Sequence, residues 1–293
     1  MIRINNFKVK YGDFTALQID QEIRIDKNRK LGVLGSNGAG KTTLINAILE
    51  LVPYEGNIVK TIPKEKIAVH MQNNNYPDTI DVKTVIEAII GTKIENNLKI
   101  MELIEFFDYK SALKKTYRDL SGGQKQRLTV ILVLAQESPL TIFDEVTSGL
   151  DFQTRTNLMD LLETWYKDRQ DTLIMVSHYY DELERLVDNV MILENGHLVD
   201  YGDKKELFNK YCGNRVVSFE EKKYQEDIMK GFNRIHGPKG KVVISINDDE
   251  EELNLLRVLV DKNIDFERSS NDMEIMYINA LRKKGLGDEE KQF

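Results

Sequence analysis

Gly35-Ser36-Asn37-Gly38-Ala39-Gly40-Lys41-Thr42 places glycines, a lysine and a hydroxyl at the spacing G-x-x-x-x-G-K-[ST]. Glycines let backbone N–H groups wrap phosphate oxygens, and the helix expected after them offers its positive N-terminus. Lys41 can then reach the terminal phosphates, and the Thr42 hydroxyl can ligate Mg²⁺. Ser36, Asn37, Gly38, Ala39, Gly40, Lys41, Thr42 and Thr43 thus form a cradle for a nucleoside triphosphate. A glycine turn that merely links strand to helix is the plain alternative, and the context weighs against it. A dinucleotide site would need G-x-G-x-x-G, which is not the spacing here. Asp144 and Glu145 end the apolar run Leu140-Thr141-Ile142-Phe143, so both carboxylates should emerge at the carboxyl edge of a buried strand beside that loop. One can hold Mg²⁺ through water while the other orients and deprotonates an attacking water. Alone, the pair would read as an ordinary helix cap.

A third segment, Leu120-Ser121-Gly122-Gly123-Gln124, precedes a helical pattern with Ser121 placed as N-cap and two glycines that leave N–H groups open to an anion. Leu120 to Arg127, LSGGQKQR, resembles the signature motif of ATP-binding cassette (ABC) ATPases, and the match runs in order over residues 1 to about 210. The resemblance implies ATP and Mg²⁺ as cofactors and a role for each matching residue. Tyr11 would stack on adenine; Gln72 would contact Mg²⁺ and sense the transport partner; Asp144 would hold the metal and Glu145 act as catalytic carboxylate. Ser148-Gly149-Leu150-Asp151 resembles the loop that crosses a dimer interface, and His178 the switch histidine that meets the γ-phosphate. Ser121, Gly122, Gly123 and Gln124 would contact the nucleotide of a second subunit. His70, His197 and His236 match nothing and are expected to be structural or solvated. Val146 stands where the family commonly has proline, which changes the stiffness of that turn more than its chemistry.

These residues need elements to hold them. Ile2 to Val9 and Leu17 to Ile25 alternate as an antiparallel strand pair around Tyr11-Gly12-Asp13, and Leu31 to Leu34 enters the phosphate loop as a buried strand. A helix from Lys41 to Leu51 should stop at Pro53. Further strands are expected at Asn57 to Lys60 and Lys66 to Met71, then helical periodicity over about Val82 to Tyr117, a helix from Gln124 to Gln136, another to Tyr166, and a strand over Thr172 to Val176. The alternation means an α/β fold with a largely parallel sheet. By resemblance it is a P-loop NTPase nucleotide-binding domain: a mixed sheet with an antiparallel β subdomain, a RecA-like core and a helical subdomain at about 73–136, together spanning 1–210. Residues 211–293 read as a small α+β accessory extension, with a strand at Lys241 to Ile246 and helices at Asp249 to Lys262 and around Asp272 to Lys284.

The chain has 293 residues, 41 Lys+Arg against 48 Asp+Glu and a net charge of -7, which disfavours broad binding to nucleic acid or anionic membranes. Cys212 is the single cysteine, so a disulfide framework or thiolate zinc cluster is excluded and a reducing compartment is expected. With no long apolar stretch, direct membrane insertion is not expected. The resemblance implies a dimer of nucleotide-binding subunits, homo- or heteromeric, seated on a separate multi-span permease at the inner face of the cell membrane, with the chain itself cytoplasmic. The tail resembles that of bacterial exporter ATPases, which implies export of a drug, peptide or similar amphipathic solute. A soluble ABC ATPase for assembly or repair is the other class considered; a non-hydrolysing binding module is disfavoured by the presence of Glu145 and His178.

Overall fold

The fold comes from a computed structural model that describes residues 1–71, 76–221 and 231–286. β1 (Ile2–Tyr11) turns at Gly12 into β2 (Phe14–Ile19), and β3 (Ile23–Ile25) folds back along the opposite edge of β1. The second half of the expected hairpin is therefore two strands, broken at residues 20–22. β4 (Lys30–Leu34) leads through the phosphate loop into α1 (Lys41–Ile48). That helix is shorter than its periodicity predicts: Glu50 at φ 59° takes the chain out of the helix before Pro53 can act. β5 (Glu55–Lys60) returns to pair with β1, and β6 (Ile67–His70) follows.

The expected helical stretch resolves into α2 (Val82–Ile90) and α3 (Leu98–Phe106). Asp81 caps α2 by accepting from the Thr84 amide at 2.9 Å, Gly91 at φ 70° ends it, and Asn97 caps α3. α4 (Gly122–Leu134) precedes β7 (Leu140–Asp144), and α5 (Phe152–Tyr166) precedes β8 (Thr172–Val176). α6 (Tyr180–Leu186), β9 (Asn189–Glu194), β10 (His197–Asp203) and α7 (Lys204–Cys212) follow. The main sheet runs β3-β1-β2-β10-β9-β4-β8-β7-β6, with β5 also on β1. Its half from β9 to β6 is parallel, and the half built on β1 is antiparallel. β4, β7 and β8 thereby bring their carboxyl ends to one edge, where an open parallel sheet leaves a crevice.

A second, four-stranded sheet holds β11 (Arg215–Glu220), β12 (Asn233–Ile235), β13 (Lys241–Ile246) and β14 (Phe266–Ser269), in the order β12-β13-β11-β14 and all antiparallel. α8 (Asp249–Asp261) covers it, and Val217, Phe219, Val242, Ile244, Leu255 and Leu259 form a core of its own. The last helix, α9 (Met273–Lys283), goes elsewhere. Its Met273, Ile275, Met276 and Ala280 join the apolar cluster that also holds Leu34, Phe143, Leu183 and Phe208. That cluster also takes Val216 of β11 and Val243 of β13, so α9 shares one core with both sheets.

Phe143, fully buried one residue before Asp144, packs edge-on to the His70 ring at 6.2 Å and the Tyr166 ring at 6.4 Å between centroids. Phe143→Ala should cost about 3–5 kcal/mol of stability. A thermal unfolding midpoint unchanged within a degree would contradict this packing.

Candidate functional site

The phosphate loop is shaped by close backbone approach. A Cβ on Gly35 would lie 2.4 Å from the Leu193 carbonyl oxygen, and Gly40, at φ 100°, would place one 2.9 Å from the carbonyl of Ala16. Inside the loop, Lys41 Nζ donates to the carbonyls of Gly35 at 2.8 Å and Ser36 at 2.9 Å. Burial pushes its ammonium below the usual lysine range, and the charges of Glu145, Asp144 and Glu194 oppose that shift. A cavity of about 620 Å³ opens over the loop, lined by Asn37, Gly38, Lys41, Thr42 and Thr43 on one side and Glu145 and His178 on the other. Tyr11 and Phe14, both exposed, close its rim.

Thr42 Oγ1 donates to Asp144 Oδ2 at 3.3 Å. Among the described residues the buried Asp144 Oδ1 has no hydrogen-bond donor, and burial, then the charge of Glu145, pushes its carboxyl above the ordinary value. An orphaned carboxylate oxygen beside a threonine hydroxyl is a hard-oxygen donor set that fits Mg²⁺. Glu145 sits at φ 53°, a left-handed conformation that costs a non-glycine residue about 1–3 kcal/mol. Its amide donates to the Val176 carbonyl at 3.0 Å and its carbonyl accepts from the Ser148 amide at 3.0 Å, which holds the turn. The strain turns the carboxylate to His178, whose Nε2 lies 2.6 Å from Glu145 Oε1.

Ser121 begins α4 in a full capping box with Gln124, the two reciprocal bonds being 3.3 and 3.2 Å. Asp151 caps α5 through the Thr154 amide at 3.0 Å. The two helix starts touch: a Cβ on Gly123 would fall 2.4 Å from Thr154 Cγ2, while one on Gly122 would meet only Leu150. The phosphate loop, Tyr11, Glu145 and His178 are thus brought together at one cavity, with Asp144 buried behind Thr42. Ser121, Gly122, Gly123, Gln124 and Asp151 form a separate edge of the same chain that does not line it. Gln72 lies outside the described residues. His70 is buried against Gln126 Oε1 at 2.8 Å, as expected of a structural histidine.

Three residues escaped the sequence reading. Phe14 shares the rim with Tyr11. Glu194 ends the apolar run Val190-Met191-Ile192-Leu193 as Asp144 ends its own strand, a signal that was legible; it accepts from the Ser36 hydroxyl at 2.9 Å and the Ser36 amide at 3.3 Å. Glu182 is buried on α6 and accepts from Thr147 Oγ1 at 2.7 Å and Ser177 Oγ at 2.5 Å, so it links the segment after Glu145 to the segment before His178.

A family model described as "ABC transporter" matches residues 20–148. The methionine import ATP-binding protein MetN of Clostridioides difficile is 30% identical over 226 residues, covering 71% of this chain and 70% of its own. The energy-coupling factor transporter ATP-binding protein EcfA1 of Mycoplasmopsis synoviae is 31% identical over 232 residues, covering 72% of this chain and 85% of its own. The chain belongs to the ABC transporter family. It is an ATP-binding subunit and an ATPase. The structure of cbiO1 from Clostridium perfringens, part of the ABC transporter complex cbiONQ, shares this fold with a TM-score of 0.61 at 24% identity, covering 71% of this chain and 90% of that one. About three-tenths of the ABC subunit described here is left uncovered by each of these relatives.

In this ABC subunit, burial pushes the Glu182 carboxyl above its ordinary value near 4.5, against hydrogen bonds from Ser177 and Thr147 that lower it. A raised carboxyl contributes stability that is full below pH 4.5 and fades as pH rises through the folded-state value. Glu182→Gln removes that titration, so the stability difference should shift in favour of the variant as pH rises from about 4.5. Denaturant midpoints of the two proteins that move in parallel between pH 4 and 8 would refute the shift.

Proposed function

We propose that this subunit works in a pair, of two copies or with a related subunit, and clasps Mg-ATP between the phosphate loop of one member and the signature edge of the other. The supporting observation is the division of the site. Lys41, Glu145 and His178 line the cavity, with Asp144 bonded to Thr42 of its wall, while the Ser121-Gly122-Gly123-Gln124 edge of the same chain does not line it. A triphosphate in this cradle is neutralised from one side only, and a helix N-terminus brought by the partner supplies the other.

Each side chain has a task that its position supports. Lys41 exchanges the Gly35 and Ser36 carbonyls for phosphate oxygens. Thr42, Asp144 and Gln72 would hold Mg²⁺, which would supply positive charge to the phosphate oxygens. His178 keeps Glu145 aimed over the loop, and Glu145 orients the attacking water and takes its proton. Tyr11 stacks on the base, and Phe14 gives the rim a second aromatic face. Asp151 sets the loop that crosses to the partner. Loss of the γ-phosphate removes the bridge, so the pair loosens; that opening is the mechanical output.

The output drives a separate multi-span permease, which places the subunit on the inner face of the cell membrane. Among the described residues no helix is long and apolar enough to cross a membrane. Ile89 and Leu98, exposed on α2 and α3, offer the permease an apolar contact on the helical subdomain. The relatives reported above are named for methionine import and for energy-coupling factor transport, which favours uptake over the export that the tail had implied.

Glu145→Gln should retain ATP while turnover falls by on the order of 100-fold or more, and the pair should persist in ATP during light-scattering chromatography. Lys41→Ala should lose nucleotide affinity instead. Normal turnover in the first variant, or a strictly monomeric elution with saturating ATP, rejects this reading.

A further inference from the structure

The C-terminal helix reaches the phosphate loop. α9 lies against α6 and α7, where the Met273 amide donates to Glu184 Oε1 at 2.7 Å and the Tyr277 ring packs 5.9 Å from the ring of Tyr180, two residues after His178. Tyr277 is buried, and its hydroxyl donates to Glu194 Oε2 at 2.6 Å. The same carboxylate accepts from the hydroxyl and the amide of Ser36, whose carbonyl accepts from Lys41. The far side of the helix is fastened to the second sheet. Asn279 Nδ2 donates to the His236 carbonyl at 2.8 Å, and its Oδ1 accepts from the His236 amide at 3.1 Å. Hydrogen bonds therefore tie α9 on one side to the segment after β12 and on the other, through Glu194, to the first turn of the cradle. A cavity of about 510 Å³ beside it is walled by Ser36, Asn37 and His178 from the first domain and by His236, Tyr277 and Arg282 from the tail.

From this geometry we infer that Tyr277 is a positioning residue for nucleotide binding: acting through Glu194, it fixes Ser36 and thus makes the affinity of the phosphate loop for ATP depend on the docked C-terminal helix. This rests on the proposed ATP site. The physical reason is the cost of an undersupplied buried carboxylate. Glu194 offers two oxygens to three donors on two segments, and their positions are set jointly. Without the phenol, one oxygen keeps only a longer bond to the Ser36 amide in this set, and the carboxylate is free to rotate away from the loop mouth. Glu145 and His178 are not in this line, so the chemical step is not expected to follow.

The test is a binding cycle on the full chain with a fluorescent, non-hydrolysable ATP analogue and Mg²⁺, using Tyr277→Phe, Ser36→Ala and the double variant. Tyr277→Phe keeps the ring and its packing. Its Kd should rise about tenfold, the scale of one lost hydrogen bond to a charged group. Its turnover at saturating ATP should stay within about twofold of the parent, so KM moves and kcat does not. Because both hydroxyls act on Glu194, the double variant should bind hardly worse than the weaker single one. If the hydroxyl only glues the helix in place, Tyr277→Phe lowers the unfolding midpoint with Kd unchanged, which overturns the inference. Fully additive losses overturn it as well. A parent chain that binds no ATP analogue brings down the ATP site itself, and this inference with it; a parent that binds, beside a phenylalanine variant that binds equally well, removes the inference alone.

Discussion

A lysine ammonium enclosed by a loop of backbone is the interaction around which the rest is arranged. Lys41 is 6% exposed and spends two of its three protons on the carbonyls of Gly35 and Ser36. Isolating a charge in this way is unfavourable unless opposite charge lies near. Three carboxylates supply it, Glu145, Asp144 and Glu194, each standing at the carboxyl end of a strand or one residue beyond. The parallel order β9-β4-β8-β7 is what sets those ends around the loop. The sheet serves as a charge-balancing frame for one cation, and a polyanion can take over that balance when it enters.

The same frame explains where polar groups are buried. Glu182 and Glu194 do not line the cradle's cavity; each ties a segment that does to another piece of chain. Glu182 joins Thr147, behind Glu145, to Ser177, before His178. Glu194 joins the start of the phosphate loop to the last helix. Such bridges couple pieces of chain far apart in sequence, and low dielectric makes each bond costly to leave unmade. The strained turn at Glu145 is sustained by this surrounding structure, which holds its amide against β8 and its side chain against His178.

The parts of the site carried by local rules were legible in the sequence. The phosphate loop, Asp144-Glu145 and the Ser121 N-cap are short patterns whose chemistry depends on spacing alone. The strands Thr172–Val176 and Lys241–Ile246 fall where their apolar runs do. What local pattern could not supply was closure at a distance. α1 stops early because Glu50 turns left-handed, although the apolar period continues to Leu51. Gly91 divides a stretch whose periodicity looks continuous. Phe14 becomes a rim residue only because the hairpin bends it beside Tyr11, and Glu182 becomes a bridge only after two loops converge on it.

The tail illustrates the same limit at the scale of domains. A boundary placed at 210 treats all that follows as one appendage. Packing divides it differently. One face of the second sheet and α8 bury each other, while Val216 and Val243 on the other face join the larger cluster. α9 buries Met273, Met276 and Ala280 in that larger cluster, together with Leu183 and Phe208. A helix whose apolar face belongs to one core and whose polar Asn279 grips the other layer must move with both or with neither. Because Tyr277 lies on that helix, the position of the tail bears on the phosphate cradle through Glu194, the carboxylate that Tyr277 and Ser36 share.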